Sequence, residues 1–195
     1  MKVRVGHCRL ELAQGDITHE TVDAIVNAAN SQLAFGGGVD GAIHRAAGPV
    51  VLNELRQRYP LGCPTGDAVV TSAGELRAKW IFHAVGPVWR GGQQQESHLL
   101  RSAYRRCLEL AGIHDCRSVA FPSLSTGVYG FPVDLAAEAA LTEVCQQLAV
   151  QRDELVVRIV LFDAGTLGAY SRVLETMIHS RSTMVADHAG HESPG

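Results

Sequence analysis

The chain has 195 residues, of which 46% are hydrophobic and 19% are charged, and its formal net charge is −3. This length and composition predict one globular domain with a substantial core. The 17 cationic residues are dispersed along the chain, which disfavours a general nucleic-acid binder. Arg101, Arg105 and Arg106 do share helical spacing, and they are interpreted as a solvated helix face or a local basic patch.

Nothing in the sequence predicts a membrane segment. No apolar run approaches the roughly 20 residues that span a bilayer, and residues 1–7 lack the apolar segment of a secretory signal. We therefore expect a cytoplasmic protein. The five cysteines show no C-x-x-C spacing, so we expect buried thiols rather than a disulfide framework or a zinc ribbon.

Hydrophobic periodicity predicts alternating strands and helices. The predicted strands are Val3–Val5, Leu10–Leu12, Asp23–Asn27, Asp67–Thr71, Trp80–Val85, Ser118–Pro122 and Val156–Phe162. The predicted helices are Val39–Ala47, Val50–Arg58, Gln94–Ala111, Val133–Val150 and Gly168–His179. This order predicts an α/β domain over residues 1–180, with helices on both faces of a mixed sheet, and a disordered tail over residues 181–195.

Two glycine-rich loops each follow a strand and lead into a helix, and they are the candidate ligand site. The first contains Asn27, Asn30 and Gly36–Gly38, and the second runs from Ser123 to Gly130. Neither loop contains Lys or Arg, so an anion there would rely on backbone N–H groups and helix N-termini. Each loop alone is equally compatible with a tight turn.

Two aspartates remain ambiguous from spacing alone. Asp40 is either a first-turn helix acid or a group that orients a water molecule. Asp16 is either a turn residue or an acceptor for a purine amino group. The glycines also match G-x-G-x-x-G, but Ala28–Phe35 separates them from the strand, so the sequence is poor evidence for a nicotinamide-binding fold.

Several motifs together resemble the macrodomains of the MacroD type, over nearly the whole chain. The motifs are Gly15–Thr18, Val22–Asn30, Gly36–Pro49 and Ser125–Pro132. The segment His83–Gly92 narrows the resemblance to bacterial members that deacetylate O-acetyl-ADP-ribose and are linked to ribonuclease regulation. The dispersed arginines give the ribonuclease role no independent support.

The resemblance implies a three-layer α/β/α fold that binds ADP-ribose and hydrolyses its esters without a metal or a cofactor. It implies Asn30, Asp40 and His44 as catalytic residues around the distal ribose. It implies that Asp16 accepts a hydrogen bond from the adenine amino group, that the Ile17 backbone lies beside it, and that Phe162 packs on the adenine. The remaining expected ligand contacts, most of them to the diphosphate, are Asn27, Gly36, Gly37, Gly38, Val39, Ser125, Thr126, Gly127, Val128 and Tyr129.

One position departs from the family pattern. Phe35 stands where the first of four glycines is expected, so we expect an altered scope of acyl or protein substituents. The expected partners are ADP-ribose, O-acetyl-ADP-ribose or an ADP-ribosylated protein. The alternatives are a non-catalytic ADP-ribose reader and a regulator that acts through protein contacts alone.

Overall fold

A mixed β-sheet organises the computed structural model, which describes residues 1–180 and 184–186. Within these residues the strands are β1 (Lys2–Val5), β2 (Cys8–Gln14), β3 (Ala24–Ala29), β4 (Ala68–Ser72), β5 (Trp80–Val85), β6 (Ser118–Phe121), β7 (Val156–Leu161) and β8 (Met184–Ala186). Their order is β4-β5-β3-β6-β7-β2-β1-β8. The five central strands, β5 to β2, run parallel, so their carboxyl ends meet at one edge. Strands β4 and β1 pair antiparallel with their neighbours.

Five helices cover the two faces of the sheet within the described residues. They are α1 (Gly38–Ala47), α2 (Pro49–Arg58), α3 (Glu96–Ile113), α4 (Val133–Val150) and α5 (Ala164–Ser180). A short 3-10 helix spans Ile17–His19. No helix in the described part of the chain is long and apolar enough to span a membrane.

Alternation along the strands creates two apolar cores. On β5, Phe82 and Ala84 join the core beneath α3, α4 and α5, whereas Ile81 and Val85 join the core beneath α1 and α2. Because successive strand side chains point to opposite faces, one strand serves both layers. The predicted three-layer α/β/α fold is confirmed.

Most predicted elements lie where the sequence placed them, and the exceptions have local causes. Helix α5 begins at Ala164 rather than Gly168, because the Asp163 carboxylate accepts hydrogen bonds from the Thr166 N–H and hydroxyl, both at 2.8 Å. Within the tail expected to be disordered, Met184–Ala186 form strand β8 against β1. Residues 181–183 and 187–195 lie outside the described part of the chain.

The arginines at helical spacing join two helices. Glu143 of α4 is 1% exposed, and its carboxylate accepts hydrogen bonds from Arg101 at 3.0 Å and from Arg105 at 2.7 Å. Arg106 pairs with Glu109 and Asp67. The contacts of Arg101 and Arg105 hold α3 against α4, and all three guanidinium groups are paired with carboxylates. All five cysteines are buried thiols, as predicted.

Candidate functional site

A cleft of about 230 Å³ opens at the carboxyl edge of the sheet, between the loops that follow β3 and β6. Its walls are formed by Ala28, Ala29, Asn30, Gly36, Gly37, Gly38, Val39, Asp40, Gly86, Ser123, Leu124, Ser125, Gly127, Val128 and Tyr129. These strands are neighbours in the sheet, so their two glycine-rich loops face each other. The arrangement matches the usual position of ligands in parallel sheets.

Asn30 shapes the first loop with its own amide. Its Oδ1 accepts hydrogen bonds from the Gln32 and Ala34 N–H groups at 3.2 Å, and its Nδ2 donates to the Ala34 carbonyl at 2.7 Å. One amide hydrogen of Asn30 remains for a ligand at the cleft wall.

Close packing of the loop on helix α1 requires glycine. A Cβ on Gly41 would lie 2.8 Å from the Gly36 carbonyl oxygen, and a Cβ on Gly36 would lie 3.0 Å from Asp40 Oδ2. Of the three consecutive glycines, Gly38 adopts a positive φ of 55°. The loop therefore lies directly over the first turn of the helix.

Asp40 is the carboxylate of the cleft wall, and both of its oxygens are held. Its Oδ2 accepts from the Gly36 N–H at 2.7 Å, and its Oδ1 accepts from Asn27 Nδ2 at 2.7 Å. His44 Nε2 lies 3.4 Å from Oδ1. Burial opposes ionisation, but the hydrogen bonds from His44, Asn27 and Gly36 outweigh it and hold the pKa of Asp40 below its usual range. Asp40 is thus both a first-turn acid and an ionised group that faces the cleft.

A buried polar chain continues behind Asp40. Asn27 Nδ2 also lies 3.2 Å from His83 Nδ1, and His83 Nε2 lies 2.9 Å from Thr71 Oγ1. Asn27, His83 and Thr71 are all 0% exposed. Burial, together with the neighbouring His44, lowers the pKa of His83 to about 3, so its ring is neutral at physiological pH.

The second loop is held by contacts at both ends. The Phe131 N–H donates to the Ser125 carbonyl at 3.0 Å, and the Trp89 N–H donates to the Tyr129 carbonyl at 2.8 Å. Ser125 has a φ of 65°, and a Cβ on Gly86 would lie 2.2 Å from its hydroxyl oxygen. The buried Ser125 hydroxyl has no hydrogen-bond partner among the described residues. It is therefore a donor at the cleft wall that a ligand could satisfy.

The cleft is supplied with backbone donors in place of cationic side chains. The first turn of α1 starts at Gly38, and the N–H groups of a first turn have no acceptor within their helix. The Gly36 N–H is already committed to Asp40, so Gly36 contributes shape rather than a donor. An anion between the loops would meet the positive end of α1.

The residues expected at adenine lie farther along the same edge of the sheet, outside the walls of the cleft. Asp16 and Phe162 follow β2 and β7, which are paired, and the Gly15 N–H donates to the Leu161 carbonyl at 3.0 Å. Asp16 Oδ1 accepts from the Thr18 N–H and hydroxyl, and Ile17 is buried. Phe162 is 81% exposed, so its ring is available to a ligand.

The structure brings most of the predicted residues into one site and places others behind it. Asn30, Asp40, Gly36–Val39, Ser125 and Gly127–Tyr129 line the cleft. Asn27 and His44 contact Asp40 from within the core and do not form its wall. The Thr126 hydroxyl donates to Ser123 Oγ at 2.9 Å and supports the loop.

Sequence reasoning missed several residues of the site. Gly86 lines the cleft, and His83 and Thr71 support Asp40. Ser123 and Leu124 also line the cleft; they belong to the predicted second loop but were not among the individual contacts expected from the resemblance. A signal for His83 was available, because a histidine inside the apolar run Trp80–Val85 must find a polar partner when it is buried.

A family profile, a relative by sequence and two solved structures are all similar to this chain. The Macro domain family profile matches residues 26–140, which include both loops of the cleft. An O-acetyl-ADP-ribose deacetylase of Salmonella typhimurium is 52% identical over 168 residues, covering 85% of this chain and 94% of that protein. The Oceanobacillus iheyensis macrodomain solved with ADP has a TM-score of 0.88 at 41% identity, covering 93% of this chain and 97% of that chain. The Trypanosoma brucei macrodomain in complex with ADP-ribose has a TM-score of 0.78 at 38% identity, covering 85% and 68%, respectively.

Proposed function

The chain belongs to the Macro domain family, and from this premise we propose that it binds ADP-ribose and hydrolyses acyl esters of the distal ribose. The observation that carries this proposal is the ionised Asp40 carboxylate on the wall of a cleft whose other lining residues are glycines and uncharged apolar or polar residues. The named deacetylase relative and the two nucleotide-bound structures support the same ligand class.

The proposed binding mode follows the carboxyl edge of the sheet. Adenine would lie beside Asp16, the Ile17 backbone and Phe162. The diphosphate would lie between Gly37–Val39 and the loop Ser125–Tyr129, where helix α1 presents its N-terminus. The distal ribose would then reach Asn30 and Asp40.

In the proposed reaction, which uses no metal, a water molecule donates hydrogen bonds to the Asp40 carboxylate and to the bound diphosphate. Its oxygen adds to the acyl carbon, and the bond from that carbon to the ribose oxygen breaks. The products are the free acid and the ribose hydroxyl, which takes up a proton. Asn30 would orient the ribose with its remaining amide hydrogen.

Asp40 is expected to act mainly by placing the water. Its low pKa makes it a weak general base, because a good base at neutral pH needs a pKa near 7. The rate would come from a fixed geometry and from electrostatic complementarity to the transition state.

Two substrates fit this chemistry. O-acetyl-ADP-ribose carries an acetyl ester, and a protein modified on glutamate or aspartate carries an ester between its carboxyl group and the distal ribose. The same attack on the acyl carbon would release ADP-ribose from either. We propose the acetyl ester as the first substrate, because the Salmonella typhimurium relative is named for it.

A paired experiment separates this proposal from its alternatives. Calorimetric titration with ADP-ribose measures binding, and hydrolysis assays with O-acetyl-ADP-ribose and with protein ADP-ribosylated at glutamate measure turnover. We expect binding in the micromolar range and turnover that a chelator does not reduce. Binding without turnover would indicate a reader, and no binding at high micromolar ADP-ribose would leave a regulator that acts through protein contacts.

A further inference from the structure

We propose that Thr71 and His83, together with Asn27, form a positioning relay that fixes the orientation of Asp40. The inference rests on the proposed function and deepens it, because it assigns a role to two residues outside the cleft. The relay runs from β4 through β5 and β3 to the first turn of α1.

The hydrogens of the relay can be assigned by following each donor. The Thr71 hydroxyl donates its single hydrogen to the Ser72 carbonyl at 2.9 Å, so its oxygen is free only to accept. His83 Nε2, at 2.9 Å, must therefore carry the hydrogen and donate to Thr71. In a neutral ring, Nδ1 is then an acceptor, and it accepts from Asn27 Nδ2 at 3.2 Å.

This assignment also determines the orientation of Asn27. One hydrogen of Nδ2 is used by His83, and the other is donated to Asp40 Oδ1 at 2.7 Å. The Asn27 carbonyl oxygen is thereby turned away from Asp40, and it has no partner among the described residues. The relay thus presents a donor to the carboxylate and prevents the carbonyl from facing it.

The placement of these groups is costly for a purely structural role. His83 lies between Ile81 and Val85, which belong to the apolar core beneath α1 and α2. Apolar residues of similar size would fill this layer without the cost of burying polar groups. The chain of polar groups ends at Asp40, which among the described residues is the carboxylate that lines the cleft.

The charged and titratable groups around His83 are Asp40 and His44 on α1 and Glu54 on α2. His83 nevertheless stays neutral, since burial dominates and lowers its pKa to about 3. The relay therefore positions Asp40 and does not transfer protons. Its loss should change the geometry and the pKa of Asp40 rather than remove a proton acceptor.

Kinetics of substituted proteins test the relay. Thr71→Val keeps the shape but leaves the Nε2 hydrogen without an acceptor, which favours the other tautomer and sets two hydrogens against each other at Asn27. We expect kcat for O-acetyl-ADP-ribose to fall about tenfold or more, with KM and the Kd for ADP-ribose within about twofold. Thr71→Ser should recover most of the loss, because it restores the acceptor. Thr142→Val on α4, outside the relay and the cleft, is the matched control.

Substitution of His83 gives a second, independent comparison. His83→Leu removes the acceptor for Asn27, whereas the side-chain carbonyl of His83→Gln can still accept its hydrogen. We expect a larger loss of kcat for the leucine variant and partial recovery for glutamine. In Thr71→Val and His83→Leu, the acidic limb of the kcat profile should move to higher pH, because Asp40 loses a fixed donor. An unfolded fraction would lower the amplitude without moving that limb.

Nuclear magnetic resonance of the ligand-free protein tests the relay without any activity. We expect the nitrogen-15 signals of wild-type His83 to show Nε2 protonated, and the carbon-13 titration of Asp40 to move upward by about half a pH unit or more in Thr71→Val. A wild-type His83 ring protonated on Nδ1 would overturn the relay. So would a Thr71→Val protein in which the Asp40 titration is unchanged and kcat, calculated on the concentration of ADP-ribose-binding sites, is unchanged. If the wild type hydrolysed nothing while the carbon-13 shift occurred, the proposed function would fail and the relay would stand.

Discussion

Gly41→Ala tests whether the contact between the first loop and helix α1 controls catalysis. The added Cβ would lie 2.8 Å from the Gly36 carbonyl oxygen and 3.1 Å from Arg45 Nη1. The arginine end can move, but the backbone carbonyl can yield only if the loop lifts from the helix. The same residue, Gly36, donates its N–H to Asp40 Oδ2.

The size of the effect follows from these distances. Ordinary contact requires the Gly36 carbonyl to move by about half an ångström, which lengthens the 2.7 Å hydrogen bond to the edge of its useful range. Overpacking costs about 1–3 kcal/mol, and alanine recovers about 1 kcal/mol of helix propensity, so stability should fall by about 0–2 kcal/mol. Catalysis should suffer more, with kcat lowered about 10- to 100-fold, because small misplacements of a positioning group are costly.

The assay compares kcat for O-acetyl-ADP-ribose and the unfolding free energy of Gly41→Ala with those of Gly112→Ala. Gly112 lies in α3, where an added Cβ would meet nothing within 4 Å. The control should keep wild-type kcat. A Gly41→Ala protein with wild-type kcat would refute the reasoning, since it would mean that the Gly36–Asp40 contact does not matter for turnover.

Three further predictions address the core, the substrate and the pH dependence. Glu143→Ala should lower the unfolding free energy, measured in urea, by about 1–2 kcal/mol, because it removes the buried carboxylate between α3 and α4. The loss is limited because the partner arginines can turn to solvent. A change below about 0.5 kcal/mol would argue against this role. Phe35→Gly should change the ratio of kcat/KM between acetyl and longer acyl esters about fivefold, because the half-exposed Phe35 ring lies 5.8 Å from the ring of His44. The Kd for ADP-ribose should not change. An unchanged ratio would show that Phe35 does not select the substrate. The pKa of His83 is about 3 in the folded protein and near 6.5 in the unfolded protein. Between these pH values the unfolded protein binds a proton at His83 that the folded protein does not. The unfolding free energy should therefore fall by up to about 1.4 kcal/mol per pH unit as the pH drops from about 6.5 towards 3. His83→Gln should flatten this slope in urea titrations, whereas Thr142→Val, which removes no titratable group, should leave it unchanged; equal slopes in the two variants would contradict the assignment.

The sequence predicted the layers of the fold because the apolar pattern is strong. The bounds of β5 and α4 agree with the predicted ranges Trp80–Val85 and Val133–Val150, where a mostly apolar strand and a long, largely apolar helix leave little ambiguity. The start of α5 was misplaced because its cap, Asp163, lies outside the periodic segment. Local rules identify regular elements better than they identify the residues that begin them.

The sequence predicted part of the candidate site. It did not predict the contacts that depend on which distant strands pair in the sheet. The two glycine loops were identified because their composition marks them, and both line the cleft. The relay could not be found in the same way, because His83 indicates only that it needs a polar partner when it is buried, and nothing in the sequence names Asn27 or Thr71 as that partner. The contact of His83 with Asn27 depends on the pairing of β5 with β3, which brings residues 56 positions apart side by side, and the contact of Thr71 with His83 depends on the pairing of β4 with β5. No pattern along the chain encodes that order.

The central claim is that Asp40 places the attacking water without being needed for ligand binding. Single-turnover release of acetate from saturating O-acetyl-ADP-ribose by Asp40→Ala, with ADP-ribose binding measured on the same preparation, tests it most directly. The account predicts a rate lowered about 10²- to 10³-fold with the Kd for ADP-ribose within about threefold of wild type. Near-wild-type acetate release by a variant that still binds ADP-ribose would contradict it.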